Sequence, residues 1–198
     1  MTHSDRDLIA IDVALLPPPP VSARAIDLSA VLPADPSHTF RLDADHLPHI
    51  TLSQQFVRVN ELELALAHVD EVLRDQSRLT LSVPGGGQGA SSVWMAIERT
   101  PGIVELHERL LEALRGLERA DGGPSAFFDA DARMRDVLWV AGYRLKSSFG
   151  YYSPHITLGH GAEPPWIEPF SFEATTAAVC HLGKFCTCRR VLRQWTLP

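Results

Sequence analysis

The chain has 198 residues, 45% hydrophobic and 21% charged, a balance that suits one globular domain with a sizeable core or two small lobes sharing an interface. A formal net charge of −6 argues against a protein that grips long nucleic acid through its phosphates, though not against one that binds a small nucleotide. No apolar run reaches the roughly 20 residues of a bilayer span, and the opening "MTHSDRDLIAID" has neither a basic leader nor a long apolar stretch, so a cytoplasmic protein is expected.

In chain order, "LIAIDVALL" (8–16) reads as a buried strand, ended by four consecutive prolines that cannot continue a hydrogen-bonded ladder. "VSARAIDLSAVL" (21–32) has helical apolar spacing, with Ser22 placed as a cap. "PHITLSQQFV" reads as extended. Asn60 followed by Glu63 predicts a capped helix over about 60–75, its apolar face built from Leu62, Leu66, Val69 and Leu73. "RLTLSV" (78–83) alternates like a strand and stops at "PGGGQG". That glycine run leads into another strand candidate, "SSVWMAIE" (91–98), and lacks the helix and lysine of a phosphate loop, so it reads as a turn.

Thr100-Pro101 starts a helix that carries Val104, Leu106, Leu110, Leu111, Leu114 and Leu117 to about residue 118. A short helix is predicted over 129–140, and "AGYRLKSSFGYY" reads as a loop. The tail, with β-branched runs around a Gly-Lys turn, predicts a terminal hairpin. Mixed antiparallel strands with two main helices define an α+β class, not a regular βαβ winding.

Three cysteines, Cys180, Cys186 and Cys188, lie near the C-terminus. With His181 they give C-H-x4-C-x-C, which does not match the paired C-x2-C of structural zinc sites; they read as packing thiols in a reducing compartment. Nor is there an H-E-x-x-H or comparable ligand cluster among the nine histidines, which counts against a metal hydrolase.

The most informative feature is a repetition: Pro-His-Ile-Thr-Leu occurs at 48–52 and again at 154–158. In a strand, residues i and i+2 share a face about 6.6 Å apart. His49 with Thr51, and His155 with Thr157, would share one face, while Ile50, Leu52, Ile156 and Leu158 anchor the other in a core. Packing explains Ile and Leu. It does not explain the same titratable group and hydroxyl on the opposite face twice.

With these two H-x-T motifs, the sequence resembles the 2H phosphoesterases, in particular their bacterial 2′-5′ RNA ligase-like or cyclic phosphodiesterase branch. The likeness extends to the opening strand, the "WMAI" strand at 94–97 and the closing "CTCRRVLRQW" strand. It implies a single bilobal domain over 1–198, with pseudo-twofold lobes, two mainly antiparallel sheets around a central cleft, and helices outside. It implies His49 and His155 as catalytic and Thr51 and Thr157 as phosphate-binding, with no metal and no cofactor. The substrate would be a small nucleotide or RNA end with a cyclic phosphate, opened hydrolytically or, in reverse, joined as a 2′-5′ link.

Two exchangeable imidazoles suit such chemistry, one neutral and one protonated, which predicts a bell-shaped pH dependence. Further candidate substrate contacts are Tyr151, Tyr152 and Phe40, which could stack on a base, and Lys146 and Arg144, which could steer an anion. His46 and His160 flank the motifs and read as surface or supporting groups. The alternative is a module that binds a phosphorylated nucleotide or RNA end without turnover. A monomer with no membrane and no duplex partner is expected.

Overall fold

The prolines after the first strand do more than end it. In the computed structural model, which describes residues 8–33, 40–161 and 163–198, strand β1 (Leu8–Leu15) is followed by helix α1 (Pro19–Ala30) that starts on the prolines themselves. Pro18 is the extended residue before the helix, and Pro19 occupies the first turn, where a missing N–H is no loss. Ser22 therefore lies inside the helix, donating its hydroxyl to the Pro17 carbonyl at 2.9 Å instead of capping. Residues 1–7, most of the polar opening segment, lie outside the described residues.

The chain continues through β2 (Ile50–Arg58), α2 (Leu62–Leu73), β3 (Leu79–Val83), β4 (Gly86–Gln88), β5 (Ser92–Ala96), α3 (Pro101–Leu114), α4 (Met134–Lys146), β6 (His155–His160), β7 (Phe170–Ala174), β8 (Thr176–Gly183) and β9 (Thr187–Thr196). The Asn60–Glu63 cap does not form: a 3-10 turn, Val59–Glu61, leads into α2, and Glu63 pairs with Arg193 instead. The glycine run is not merely a turn. Gly86–Gln88 forms β4, paired antiparallel with β5. Helix α4 begins later and ends later than the sequence predicts, because Arg133 and Asp136 bond reciprocally at its start and its apolar face runs on to Tyr143. It absorbs "AGYRLK", so Arg144 and Lys146 stand on a helix.

All ladders are antiparallel. One sheet has the order β2-β1-β8-β9, and its β8–β9 pair is the expected terminal hairpin. The other strands form two ladders, β3-β7 and β4-β5-β6, stitched together by backbone bonds from Glu98 N to Ser82 O and from Ala96 N to Gly85 O. One core joins the halves: Ile11, Val13 and Leu15 of β1 share it with Leu81, Met95, Ile156 and Leu158. The opposite face of β1 packs Leu8 and Ala10 with Phe56, Phe127, Val137 and Val140 beneath α4. Asp12, between Ala10 and Ala14 on that second face, is fully buried.

Candidate active site

Each motif sits at the start of a strand, with the proline's missing N–H falling just before the ladder begins. Ile50, Leu52, Ile156 and Leu158 are all 0% exposed in the shared core. The alternation of a strand then turns His49, Thr51, His155 and Thr157 to the other side, where all four line one cleft of about 490 Å³.

The two motif strands also share an irregularity. Ala14 lies opposite Thr51 and Val13 opposite Ser53, so Leu52 is the extra residue of a bulge. On the other side Trp94 lies opposite Thr157 and Val93 opposite Gly159, so Leu158 is the extra residue. A bulge re-aims the side chains that follow it. In β2 it lets Thr51 and Gln54 face the same way, and both reach Asp12.

Both histidines are held alike. His49 Nδ1 lies 2.7 Å from the Leu47 carbonyl, and His155 Nδ1 lies 2.7 Å from the Ser153 carbonyl. A carbonyl only accepts, so Nδ1 carries the hydrogen on each ring and Nε2 is left for proton exchange in the cleft. Burial pushes both imidazoles below their ordinary 6.5, opposed in each case by that carbonyl. His155 is held lower still by the charge of His49.

The surroundings of the two rings differ. Asp12 Oδ2 accepts from Thr51 Oγ1 at 2.7 Å and from Gln54 Nε2 at 2.7 Å, and lies 3.7 Å from His49 Nε2. Burial raises the Asp12 carboxyl to about 7, against the pull of the Gln54 and Thr51 hydrogen bonds. His155 instead packs on the Trp94 indole, centroids 4.9 Å apart and planes tilted by 38°. Sequence reasoning missed Asp12, although its signal was present: a lone acid inside a strand otherwise read as buried.

Asp12, His49 and Cys188 place one potential ligand atom each within 4.8 Å of one another. They fit a resident metal poorly. Asp12 Oδ2 is already engaged by two donors, the Cys188 thiol is pushed well up by burial among Ala14, Ala178 and Cys180, and a metal would occupy the His49 edge that exchanges protons. Cys180 and Cys188 are free, fully buried thiols, and Cys186 is half-buried at the cleft.

Of the other candidate contacts, Tyr151, Tyr152 and Phe40 reach the cleft. Tyr151 is 76% exposed at its rim. Tyr152 is buried, stacked on His107 at 3.8 Å, and its hydroxyl donates to the Thr51 carbonyl at 3.0 Å, so it braces the first motif strand from the second. Phe40 stacks on Phe185 at 5.8 Å and meets the His160 ring edge-on. Arg144 and Lys146 do not line the cleft. As part of α4, Arg144 is turned to Glu118 at 2.6 Å and to the Leu111 carbonyl, and Lys146 lies along Gly142. The cations at the cleft are Arg133, engaged by Asp136 and stacked over Phe185, and Arg135, which has no ion pair among the described residues. His46 pairs with Asp43, whereas His160 lines the cleft.

One H-x-T pair from each half thus lines a single sheet-walled cleft. The chain belongs to the 2′-5′ RNA ligase superfamily, whose family model matches residues 17–186, and it is an enzyme of the phosphoesterase type. Solved structures share the fold. A phosphoesterase aligns at 20% identity with a TM-score of 0.61, LigT of E. coli complexed with 3′-AMP at 17% and 0.61, and TT0787 of Thermus thermophilus at 18% and 0.60. Each alignment covers 96% of this chain and 98% of the other. No curated protein matches the chain in sequence.

Proposed function

We propose that the protein hydrolyses 2′,3′-cyclic phosphates, or closely related phosphodiesters, of nucleotides or RNA ends by metal-independent acid–base catalysis. The observation that carries this reading is the matched pair of imidazoles: each is fixed through Nδ1 by the carbonyl two residues earlier, with Nε2 left for the common cleft. In-line displacement needs a base on the attacking side and an acid on the leaving side of phosphorus. One histidine takes the proton of the attacking water as the new P–O bond forms. The other protonates the ribose oxygen as its bond to phosphorus breaks. Thr157 and Arg135 donate to the non-bridging oxygens, while the Thr51 hydroxyl is committed to Asp12. Joining RNA ends uses the same groups, with a 5′-hydroxyl attacking the cyclic phosphate in place of water and the 3′ oxygen leaving with a proton, so that a 2′-5′ link forms.

A cleft of about 490 Å³ with Trp94, Trp139 and Tyr151 at its walls accommodates one nucleotide. That LigT of E. coli has been captured with 3′-AMP and with phosphate supports the same substrate class. The test is a panel of 2′,3′-cyclic nucleotides and cyclic-phosphate-ended oligonucleotides, with products resolved as 2′- or 3′-phosphates. Single-regioisomer products from at least one member are expected. Recovery of every ligand unchanged would favour a binding module.

A further inference from the structure

The halves of the site are related by register as well as by sequence. In the first, Ala14 faces Thr51 and Asp12 faces Gln54. In the second, Trp94 faces Thr157 and Ser92 faces His160. Asp12 and Ser92 therefore hold matching positions, two residues from the partner of each threonine. Only the first half has a carboxylate there, and it is 0% exposed. Burying an acid with no cation bonded to it is costly, and packing between Ala10 and Ala14 gives no reason for it.

We propose that Asp12 is a positioning residue for this phosphodiester chemistry: it clamps the Thr51 hydroxyl and holds the site's exchangeable proton on His49 in preference to His155. The proposal rests on the two-histidine reading above. Its geometry is over-determined by donors. The Trp139 indole N–H only donates, so Gln54 turns its carbonyl oxygen to Trp139 at 3.1 Å and its amide N–H to Asp12 Oδ2 at 2.7 Å. Oδ2 is therefore an unprotonated oxygen, and Thr51, at 2.7 Å, donates to it. The proton of Thr51 is held by Asp12, and its lone pairs are left for the cleft.

The same oxygen stands 3.7 Å from His49 Nε2, so a proton entering this pair is shared between the imidazole and the buried carboxyl, an acceptor that the second half lacks. His155 has Ser92 on the matching position and the Trp94 ring beside it, and a ring quadrupole attracts a cation less than a carboxylate does. The titratable groups that face Asp12 from other elements bring no competing positive charge. Tyr143, Tyr152, Cys186 and Cys188 are all kept neutral by burial, and Arg133 is paired with Asp136. In turnover, His155 takes the water proton as oxygen bonds to phosphorus, and His49 gives its proton to the departing ribose oxygen.

Asp12→Asn tests this, because an amide oxygen still accepts from Thr51 and Gln54 while the charge is removed. The imidazole resonances of His49 and His155, assigned through His49→Gln and His155→Gln, are followed by NMR against pH. In the unsubstituted protein His49 titrates above His155. In Asp12→Asn the His49 midpoint falls by about one pH unit, a tenfold change in proton affinity, and His155 moves less. With a 2′,3′-cyclic nucleotide, kcat falls more than KM changes, and the alkaline limb of its pH profile moves down. An unmoved His49 midpoint overturns the proposal, as does His155 titrating above His49 in the unsubstituted protein. The predicted shifts with no turnover on any cyclic phosphate would leave Asp12's role standing and overturn the reaction reading instead.

Discussion

The two threonines carry the same letter in the same motif, yet their surroundings make them unequal partners. Thr51 donates into a buried carboxylate, whereas the Thr157 hydroxyl has no such partner among the described residues. Thr51→Val should therefore lower activity and also destabilise the fold, by about 1–3 kcal/mol for the buried acceptor left short of a donor. Thr157→Val should lower activity with little change in melting temperature; calorimetry beside kinetics separates the two. The pH profile follows from the same asymmetry. Its acidic limb is protonation of the His155 base, which burial depresses, so it falls below 6.5. Its alkaline limb is loss of the proton shared by His49 and Asp12, whose carboxyl lies at about 7. A narrow bell between these limbs is expected in kcat/KM, and a rate rising steadily to an alkaline plateau would contradict it. The four motif residues were legible because a repeat of His and Thr has no packing reason. Asp12 stood out only as a lone acid in a buried strand; its role was not legible, because its partners Thr51 and Gln54 come together only through a bulge that spacing alone does not reveal.

Among the elements, the short strand β4 has the clearest link to chemistry. A Cβ on Gly87 would collide with the Trp94 indole, so the glycine lets that ring lie flat between β4 and the His155 imidazole. Gly87→Ala should displace Trp94, destabilise the protein by about 1–3 kcal/mol through overpacking, and change indole fluorescence. Unaltered fluorescence and melting would show that the ring does not depend on the close approach. The sequence supported reading "PGGGQG" as a turn, since glycine has low strand propensity and offers no side-chain pattern. Pairing to β5, a tertiary event, overrode that preference. Helix α4 teaches the converse. Its extension through Lys146 removed Arg144 and Lys146 from the approach to the second motif and gave Arg144 to Glu118. Arg135, in the first turn of the helix, lines the cleft in their place. By contrast β1, α3 and the β8–β9 hairpin were readable, because their apolar runs and flanking prolines or glycines agree with the final packing.

At the scale of the molecule, two sheets contribute one motif each and a shared core fixes them against each other, so the site exists only in the folded whole. Tyr152 makes that dependence concrete, since a residue beside the second motif donates to the backbone of the first. No helix among the described residues is long and apolar enough to cross a membrane. The central claim is that two imidazoles, without a metal, share the work of opening a cyclic phosphate. The most direct measurement is turnover of a 2′,3′-cyclic nucleotide by the parent protein, His49→Ala and His155→Ala, after exhaustive chelation and with folding confirmed by circular dichroism. Undiminished parent activity is expected, with a loss of about 10²–10⁴-fold in each variant. Parent activity that vanishes on chelation and returns with a divalent cation, or a folded histidine variant that turns over at the parent rate, would contradict it.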